Sequence, residues 1–386
     1  MSGRLDTSPP PGRADAGPSL AGGHGDEAID RKASAGWTND GERSSLWALR
    51  LMRWIAVSAG RPLARLALHP ITLYFLLVNG RARRASLSFL GRALGRPASW
   101  RDAYRHIHCF ASTILDRVYF LQERFEQFEV SARRPEIIHE PLERGEGVML
   151  VGAHLGSFEA LRASSHGRGV KVAMLMFEDN ARLINATLAA LAPSAPSMSS
   201  TPNLQSPPLC TIALGKPGTM LQLRRWLDEG GVAGLLADRT LPAQGADRGS
   251  RVDRSRLLWF DFLGQPARFS DGPFRLAAML RRKVVFMAGL YRGGNRYELH
   301  FVELADFSAD AAAEPHARPD AENSDANPLR ANPLRASRAA QIDARVHEAM
   351  QRYVSLLETL CRESPYNWFN FFDFWACDAA DRPVAH

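Results

Sequence analysis

Short apolar runs and helically spaced apolar positions alternate along most of this chain. Six runs read as buried strands: "FEQFEV" (125–130), "GVMLVGA" (147–153), "KVAMLMF" (171–177), "GVAGLLA" (231–237), "KVVFMAGLY" (283–291) and "YELHFVEL" (297–304). Helical spacing recurs between them, near 157–166, 180–191, 217–229 and 271–281. This alternation predicts an α/β fold with a mixed, largely parallel central sheet flanked by helices, and ligands at the carboxyl ends of the strands. Residues 100–124 read as a helix striped by Tyr104, Ile107, His108, Ala111, Ile114, Leu115, Val118 and Leu121, in which His106 and His108 read as structural. A helix near 338–362 leads into the aromatic segment "PYNWFNFFDFW" (365–375).

The region from Leu46 to Val78 is apolar but studded with arginine. Its longest uncharged run, Leu66 to Asn79, contains His69 and Pro70 and falls short of the ~20 residues a spanning helix needs. Arg50, Arg53, Arg61 and Arg65 interrupt one side, and Arg81, Arg83 and Arg84 follow. The pattern predicts amphipathic helices lying in a membrane interface with their arginines at the headgroups, and it also allows an ordinary core-packing helical layer or a tilted or re-entrant helix.

Charge sharpens this expectation. The net charge of +7 rests on arginine, since Lys32, Lys171, Lys216 and Lys283 are the only lysines. Between Ser44 and Arg105 there are eleven arginines and one acid, Asp102, so the remainder of the chain is slightly acidic. Such clustering favours a partner with negative surface charge, phospholipid or nucleic acid. Arginines set among Leu, Ile, Trp and Phe suit a lipid surface better than a phosphate groove, and no helix-turn-helix, zinc-finger or RNP-type pattern points to nucleic acid. Cys109, Cys210, Cys361 and Cys377 have no metal-ligand spacing and read as reduced thiols, as in the cytoplasm.

These patterns divide the chain into a disordered tail (1–44), a basic amphipathic helical region (45–124), an α/β domain (125–375) and a C-terminal tail (376–386). Two stretches read as surface insertions: 194–208, and 309–337, which holds the direct repeat "ANPLRANPLR" (326–335).

The candidate chemistry lies in "GVMLVGAHLGSFEALRA" (147–163), where an apolar run stops at His154 and Glu159 follows five positions later. On one continuous helix these side chains would point about 140° apart. A strand ending near Ala153, a turn at Gly156 and a helix capped by Ser157 would instead fold Glu159 back toward the imidazole. A carboxylate on one ring nitrogen fixes the tautomer and leaves the other to take a proton from a hydroxyl. Spacing alone equally allows a structural histidine, with Glu159 merely favouring the positive helix end. No metal is expected: there is no H-E-x-x-H pattern and no evident third ligand.

The H-x-x-x-x-E motif after a strand, behind a membrane-adsorbing front end, resembles the lysophospholipid acyltransferase superfamily. Within it, the chain is most similar to the bacterial lipid A late acyltransferases, the lauroyl and myristoyl transferases. Glu159 stands where the glycerol-phosphate branch typically has Asp. The resemblance runs from about Leu46 to Trp375 and includes "GGVAGLLADRT" (230–240), "WFDFLGQPARFSDGPFRLAAML" (259–280) and "SPYNWF" (364–369). The chain departs from the family in "AHLGSFEA", in the Asp238-Arg239 pair and in the density of aromatic residues near its end, which marks a divergent subgroup.

The resemblance implies a membrane-associated O-acyltransferase at the cytoplasmic face of the bacterial inner membrane. It would move a fatty acyl chain from acyl carrier protein or coenzyme A to a hydroxyl of a lipid A precursor or related lipid, as in lipopolysaccharide synthesis. The thioester is a co-substrate and no other cofactor is implied. His154 would be the general base and Glu159 its orienting partner. Backbone N–H groups of the 155–158 turn, or Arg239, would stabilise the oxyanion, with Asp238 positioning Arg239 or the acceptor. Arg182 is a second candidate for a phosphate or the oxyanion. The alternatives are a glycerophospholipid acyltransferase, a hydrolase using the same base, and a non-catalytic protein binding membrane surfaces or nucleic acid.

Overall fold

The computed structural model of the chain describes residues 60–165, 170–177, 210–214, 218–239, 257–308 and 333–375. The two expected tails, the helix near 180–191, Arg182, the 194–208 insertion and most of the 309–337 insertion lie outside these residues.

Seven strands form one sheet: β1 (Glu129–Arg133), β2 (Val148–Gly156), β3 (Val172–Phe177), β4 (Cys210–Leu214), β5 (Val232–Leu236), β8 (Lys283–Tyr291) and β9 (Arg296–Asp306). Their order is β1-β9-β8-β2-β5-β3-β4. β8, β2, β5, β3 and β4 are mutually parallel, whereas β9 is antiparallel to β8 and carries β1 alongside it. The expected mixed, mostly parallel α/β sheet is therefore present. β6 (Leu257–Phe262) and β7 (Gln265–Ser270) form a separate antiparallel hairpin.

Alternation along the central strands sorts the sheet's two faces. Met149, Val151, Ala233, Leu235, Val284 and Phe286 belong to one core with α6 (Thr219–Asp228), α7 (Gly272–Leu280) and the long helix α8 (Pro333–Glu363). α8 presents Val346, Ala349, Met350, Tyr353, Val354, Leu357 and Leu360, three and four apart, to that core. On the opposite face Val172, Val232 and Phe301 line a crevice with Ile138 of α4 (Glu136–Glu143) and Leu161 of α5 (Ala160–Ser165).

Three helices form the front of the described chain: α1 (Gly60–Val78), α2 (Gly80–Leu94) and α3 (Trp100–Leu121). α2 ends on Gly95, whose φ of 65° is left-handed. α3 starts with a reciprocal capping box between Ser99 and Asp102. Phe89 and Leu90 carry α2 into the main core. α1 buries Ala64, Leu68, Thr72 and Leu76, one turn apart, and exposes Leu63, Leu66, Leu73, Tyr74, Leu77 and Val78.

Two of the arginines expected at a headgroup layer are instead turned inward. Arg61 pairs with the buried carboxylate of Asp116 at 2.9 Å and donates to Gly294 O. Arg65 donates to Gly294 O and to the Tyr291 hydroxyl. Because Asp116 is fully buried and also accepts from Tyr297 Oη at 2.9 Å, its charge needs those cations more than a headgroup would. No single helix among the described residues is long and apolar enough to cross a membrane, although α1 and α2, meeting at 96°, pass that test together.

Several boundaries differ from the sequence reading. Residues 125–127 form a 3-10 turn, and β1 begins only at Glu129. β4 and the β6–β7 hairpin are additional strands. α8 starts at Pro333, within the second copy of the repeat, because proline's fixed φ and missing N–H suit a first helical turn.

Candidate active site

β2 does not stop at Ala153 but runs on to Gly156, and it does so irregularly. Gly152 pairs with Met287 of β8, while Gly156 pairs with Gly289. Three residues, Ala153 to Leu155, thus oppose the single Ala288. The bulge places His154 at its middle, and bulges of this kind re-aim a side chain out of the regular pleat. Gly156 has a φ of 74°, and a Cβ on it would collide with Gly289 O. A Cβ on Gly289 would likewise collide with Ser157 O. The Ser157 N–H donates to Gly289 O at 2.8 Å, which locks this crossing.

The partner of His154 is Asp238, two residues past the end of β5. His154 Nδ1 lies 2.9 Å from Asp238 Oδ1, and the His154 backbone N–H donates to Oδ2 at 3.0 Å. Burial opposes ionisation of Asp238, but the charge and hydrogen bonds of His154, with Arg239 beside it, outweigh burial and hold the carboxyl down to about 2. An ionised carboxylate can only accept, so Nδ1 carries a proton, which leaves Nε2 as the ring nitrogen able to exchange one with a ligand. The His154 side chain is 31% exposed and the Asp238 side chain 2%. One partner therefore reaches solvent from a buried anchor.

The aromatic segment after α8 closes around this pair. The Trp368 indole N–H donates to Asp238 Oδ2 at 2.9 Å. The Phe369 N–H donates to His154 O at 2.7 Å, and Leu155 bridges Trp368. Trp368 is fully buried, edge-on to Phe89 at 4.8 Å and to Phe262 at 5.4 Å. Its carbonyl lies 2.8 Å from Nε2 of the buried His106, whose Nδ1 is 2.8 Å from Ser86 Oγ. Burial pushes the His106 imidazole down to about 4. It is neutral, donates to Trp368 O and accepts from Ser86, which is the structural role expected of it.

Glu159 does not fold back onto His154. Its carboxylate pairs with Arg117 of α3 at 2.7 Å and accepts from Ser157 Oγ at 3.0 Å. The expected pairing required a helix beginning at Ser157, but the strand overruns and α5 begins only at Ala160. Ser157 therefore binds Glu159 rather than capping a helix. With its N–H held by Gly289 O, Ser157 is also removed from the oxyanion donors expected of the 155–158 turn. Arg162 of α5 pairs with Glu123 at 2.9 Å, extending the ionic contacts between this turn and the end of α3.

Arg239 follows Asp238 and donates to Phe369 O at 3.2 Å, and its guanidinium lies 5.4 Å from the centre of the Phe372 ring. His154, Asp238 and Arg239 are thus brought together with Trp368 and Phe369, while Glu159 serves an adjoining ion pair. No local pattern in the sequence marks Trp368 or His106 as site residues. "SPYNWF" carried a family resemblance but gave no hint that an indole would reach a carboxylate 130 positions away.

Chemically, an imidazole anchored through Nδ1 to a buried carboxylate, with Nε2 available, is a general base for a hydroxyl or water. Among the described residues no group of three or more His, Cys, Asp or Glu side chains is placed to hold a metal ion. Comparison with protein-family models and with curated proteins gives no match.

Proposed function

We propose that this chain is a membrane-associated O-acyltransferase that moves a fatty acyl group from an acyl thioester to a hydroxyl of a lipid A precursor or related lipid acceptor. The observation that carries this reading is the 2.9 Å contact between His154 Nδ1 and the buried Asp238 at the carboxyl edge of a largely parallel sheet. The thioester carrier is acyl carrier protein or coenzyme A, and the setting is the cytoplasmic face of the bacterial inner membrane.

In this reading His154 Nε2 takes the proton of the acceptor hydroxyl as its oxygen attacks the thioester carbonyl. Asp238 stabilises the imidazolium that forms. The tetrahedral intermediate then collapses, the C–S bond breaks, and the proton passes from His154 to the leaving thiolate. Arg239, the nearest cation to the dyad in sequence, is suited to stabilise the oxyanion. Asp238 thus takes the orienting role expected of Glu159, and Glu159 positions Arg117. The exposed apolar face of α1, followed by the exposed Arg81 and Arg84, supports adsorption to an anionic lipid surface.

The test uses detergent-solubilised wild type, His154→Ala, Asp238→Asn and Glu159→Gln with radiolabelled acyl-acyl carrier protein or acyl coenzyme A and bacterial lipid extract. Label should enter one lipid band in wild type and be lost in His154→Ala and Asp238→Asn. Transfer by a folded His154→Ala protein at the wild-type rate would exclude His154 as the base.

A further inference from the structure

The buried polar groups behind His154 form one continuous line. Ser86 Oγ donates to His106 Nδ1 and His106 Nε2 donates to Trp368 O, each at 2.8 Å. Trp368 Nε1 donates to Asp238 Oδ2, and Asp238 Oδ1 accepts from His154 Nδ1, each at 2.9 Å. The directions are fixed in turn. A carbonyl and an ionised carboxylate can only accept, so His106 Nε2 and His154 Nδ1 must both be donors, and Ser86 must donate to the remaining nitrogen of His106.

Trp368 acts on both ends of the dyad. Its indole takes up Oδ2 and thereby leaves Oδ1 to the imidazole. Its backbone, through the Leu155 bridge and the neighbouring Phe369 N–H, holds the strand that carries His154. The ring is too tightly enclosed by Phe89, Phe262 and Phe374 to swing away without disturbing the core. A core packing role alone would need neither the indole N–H nor a hydrogen-bonded histidine behind the carbonyl.

We propose that Trp368 and His106 are positioning residues of the His154 base: the Trp368 indole fixes the Asp238 carboxylate, and His106 fixes Trp368. This rests on the reading of His154 as a general base. It adds that the base is set from the α2–α3 layer, since Ser86 and His106 belong to those helices. Both residues are buried and act through the dyad, His106 through Trp368 and Trp368 through Asp238 and the strand that carries His154.

The decisive measurement is independent of any substrate. The full chain in detergent is labelled with ring-15N histidine, and His154 is assigned in magic-angle-spinning spectra by its loss in His154→Gln. Spectra are taken across a pH series, and at the pH where the ring is neutral wild type should give one protonated nitrogen, Nδ1, and one bare nitrogen, Nε2. Trp368→Phe keeps an aromatic ring and removes the indole N–H; it should bring the second tautomer of His154 into view. His106→Phe should act in the same direction, and His106→Gln, whose amide can still donate to Trp368 O, should restore the wild-type pattern. Where transfer is measurable, Trp368→Phe should lower kcat about tenfold, the effect of one lost hydrogen bond, with both KM values unchanged.

Unaltered His154 ring signals in Trp368→Phe and His106→Phe would overturn the proposal, whatever happens to thermal stability. If Trp368→Phe fails to fold, the His106 pair decides alone. Absence of acyl transfer in wild type would instead count against the acyltransferase reading, and the tautomer would still report on the clamp.

Discussion

Asp238 holds His154 twice, by the ring at 2.9 Å and by the backbone N–H at 3.0 Å. A carboxylate that binds both ends of one residue fixes the imidazole's position as well as its tautomer. Asp238→Asn replaces one acceptor oxygen with an NH2 group that must face a donor. For the proposed reaction the rate should fall by about 10²–10⁴-fold. Urea unfolding should also show a loss of about 3 kcal/mol, the usual consequence of removing one partner of a buried charged pair. Asp238→Asn at the wild-type rate would remove this residue from the mechanism.

Glu159→Gln separates the two carboxylates. It breaks a pair with Arg117, which is 43% exposed, and leaves the Asp238 contact untouched. A double-mutant cycle with Arg117→Met should give a coupling of about 1 kcal/mol in chemical denaturation, modest because water screens the arginine. Transfer should fall less than in Asp238→Asn. An equal fall would restore Glu159 to the base.

Acid should destabilise the fold through His106. Its native pKa, lowered to about 4 by burial, lies below the ordinary value of 6.5. As pH falls through 6.5 the unfolded chain takes up a proton that the native state refuses, so stability declines until about pH 4, where both forms are charged. The full span is on the order of 3 kcal/mol. Urea midpoints measured from pH 7.5 to 4.5 should follow this fall, and His106→Gln should flatten it. His108 and His300 are shifted in the same direction by burial and contribute a residual slope.

Gly156→Ala should be among the most damaging single changes in the chain. The added methyl meets Gly289 O, and the φ of 74° disfavours any side chain. A loss of about 3 kcal/mol or more is expected, with resonance shifts at both His154 and Gly289. A mild effect confined to the turn would show that β2 and β8 can part there.

The apolar stripe of α1 can be tested apart from catalysis. Replacing Leu66, Leu73 and Leu77 with serine removes exposed apolar side chains and leaves the buried row of Ala64, Leu68, Thr72 and Leu76 in place. Co-sedimentation with anionic phospholipid vesicles should drop at least tenfold, while unfolding in urea shifts by no more than the ~1 kcal/mol that three serines cost in helix propensity. Retained sedimentation would exclude this face as the lipid contact.

The sheet was legible because its central strands are long apolar runs; β8 was placed to the residue. β4, "CTIAL", is too short and too mixed to stand out, and the β6–β7 hairpin was read as a family block rather than as two strands. At the site, local spacing singles out His154 and assigns the orienting role to Glu159, whereas Asp238 and Arg239 enter only through the family resemblance. The error follows from a local rule applied to a non-local contact. A glycine before a serine suggests a turn and a cap, whereas the bulge that carries β2 past His154 depends on Gly289 in another strand. Trp368 was invisible for the same reason, since its contact with Asp238 is made by the fold.

The clamp also sets an order of events in the life of the molecule. His154 and its β2 strand leave the ribosome some two hundred residues before Trp368 and Phe369, which complete the surroundings of the imidazole. A nascent chain that has already built β2, β5 and β8 still holds an unclamped histidine. The proposed base is thus completed only by a segment synthesised long after it, so that a chain still lacking Trp368 and Phe369 should be a silent one.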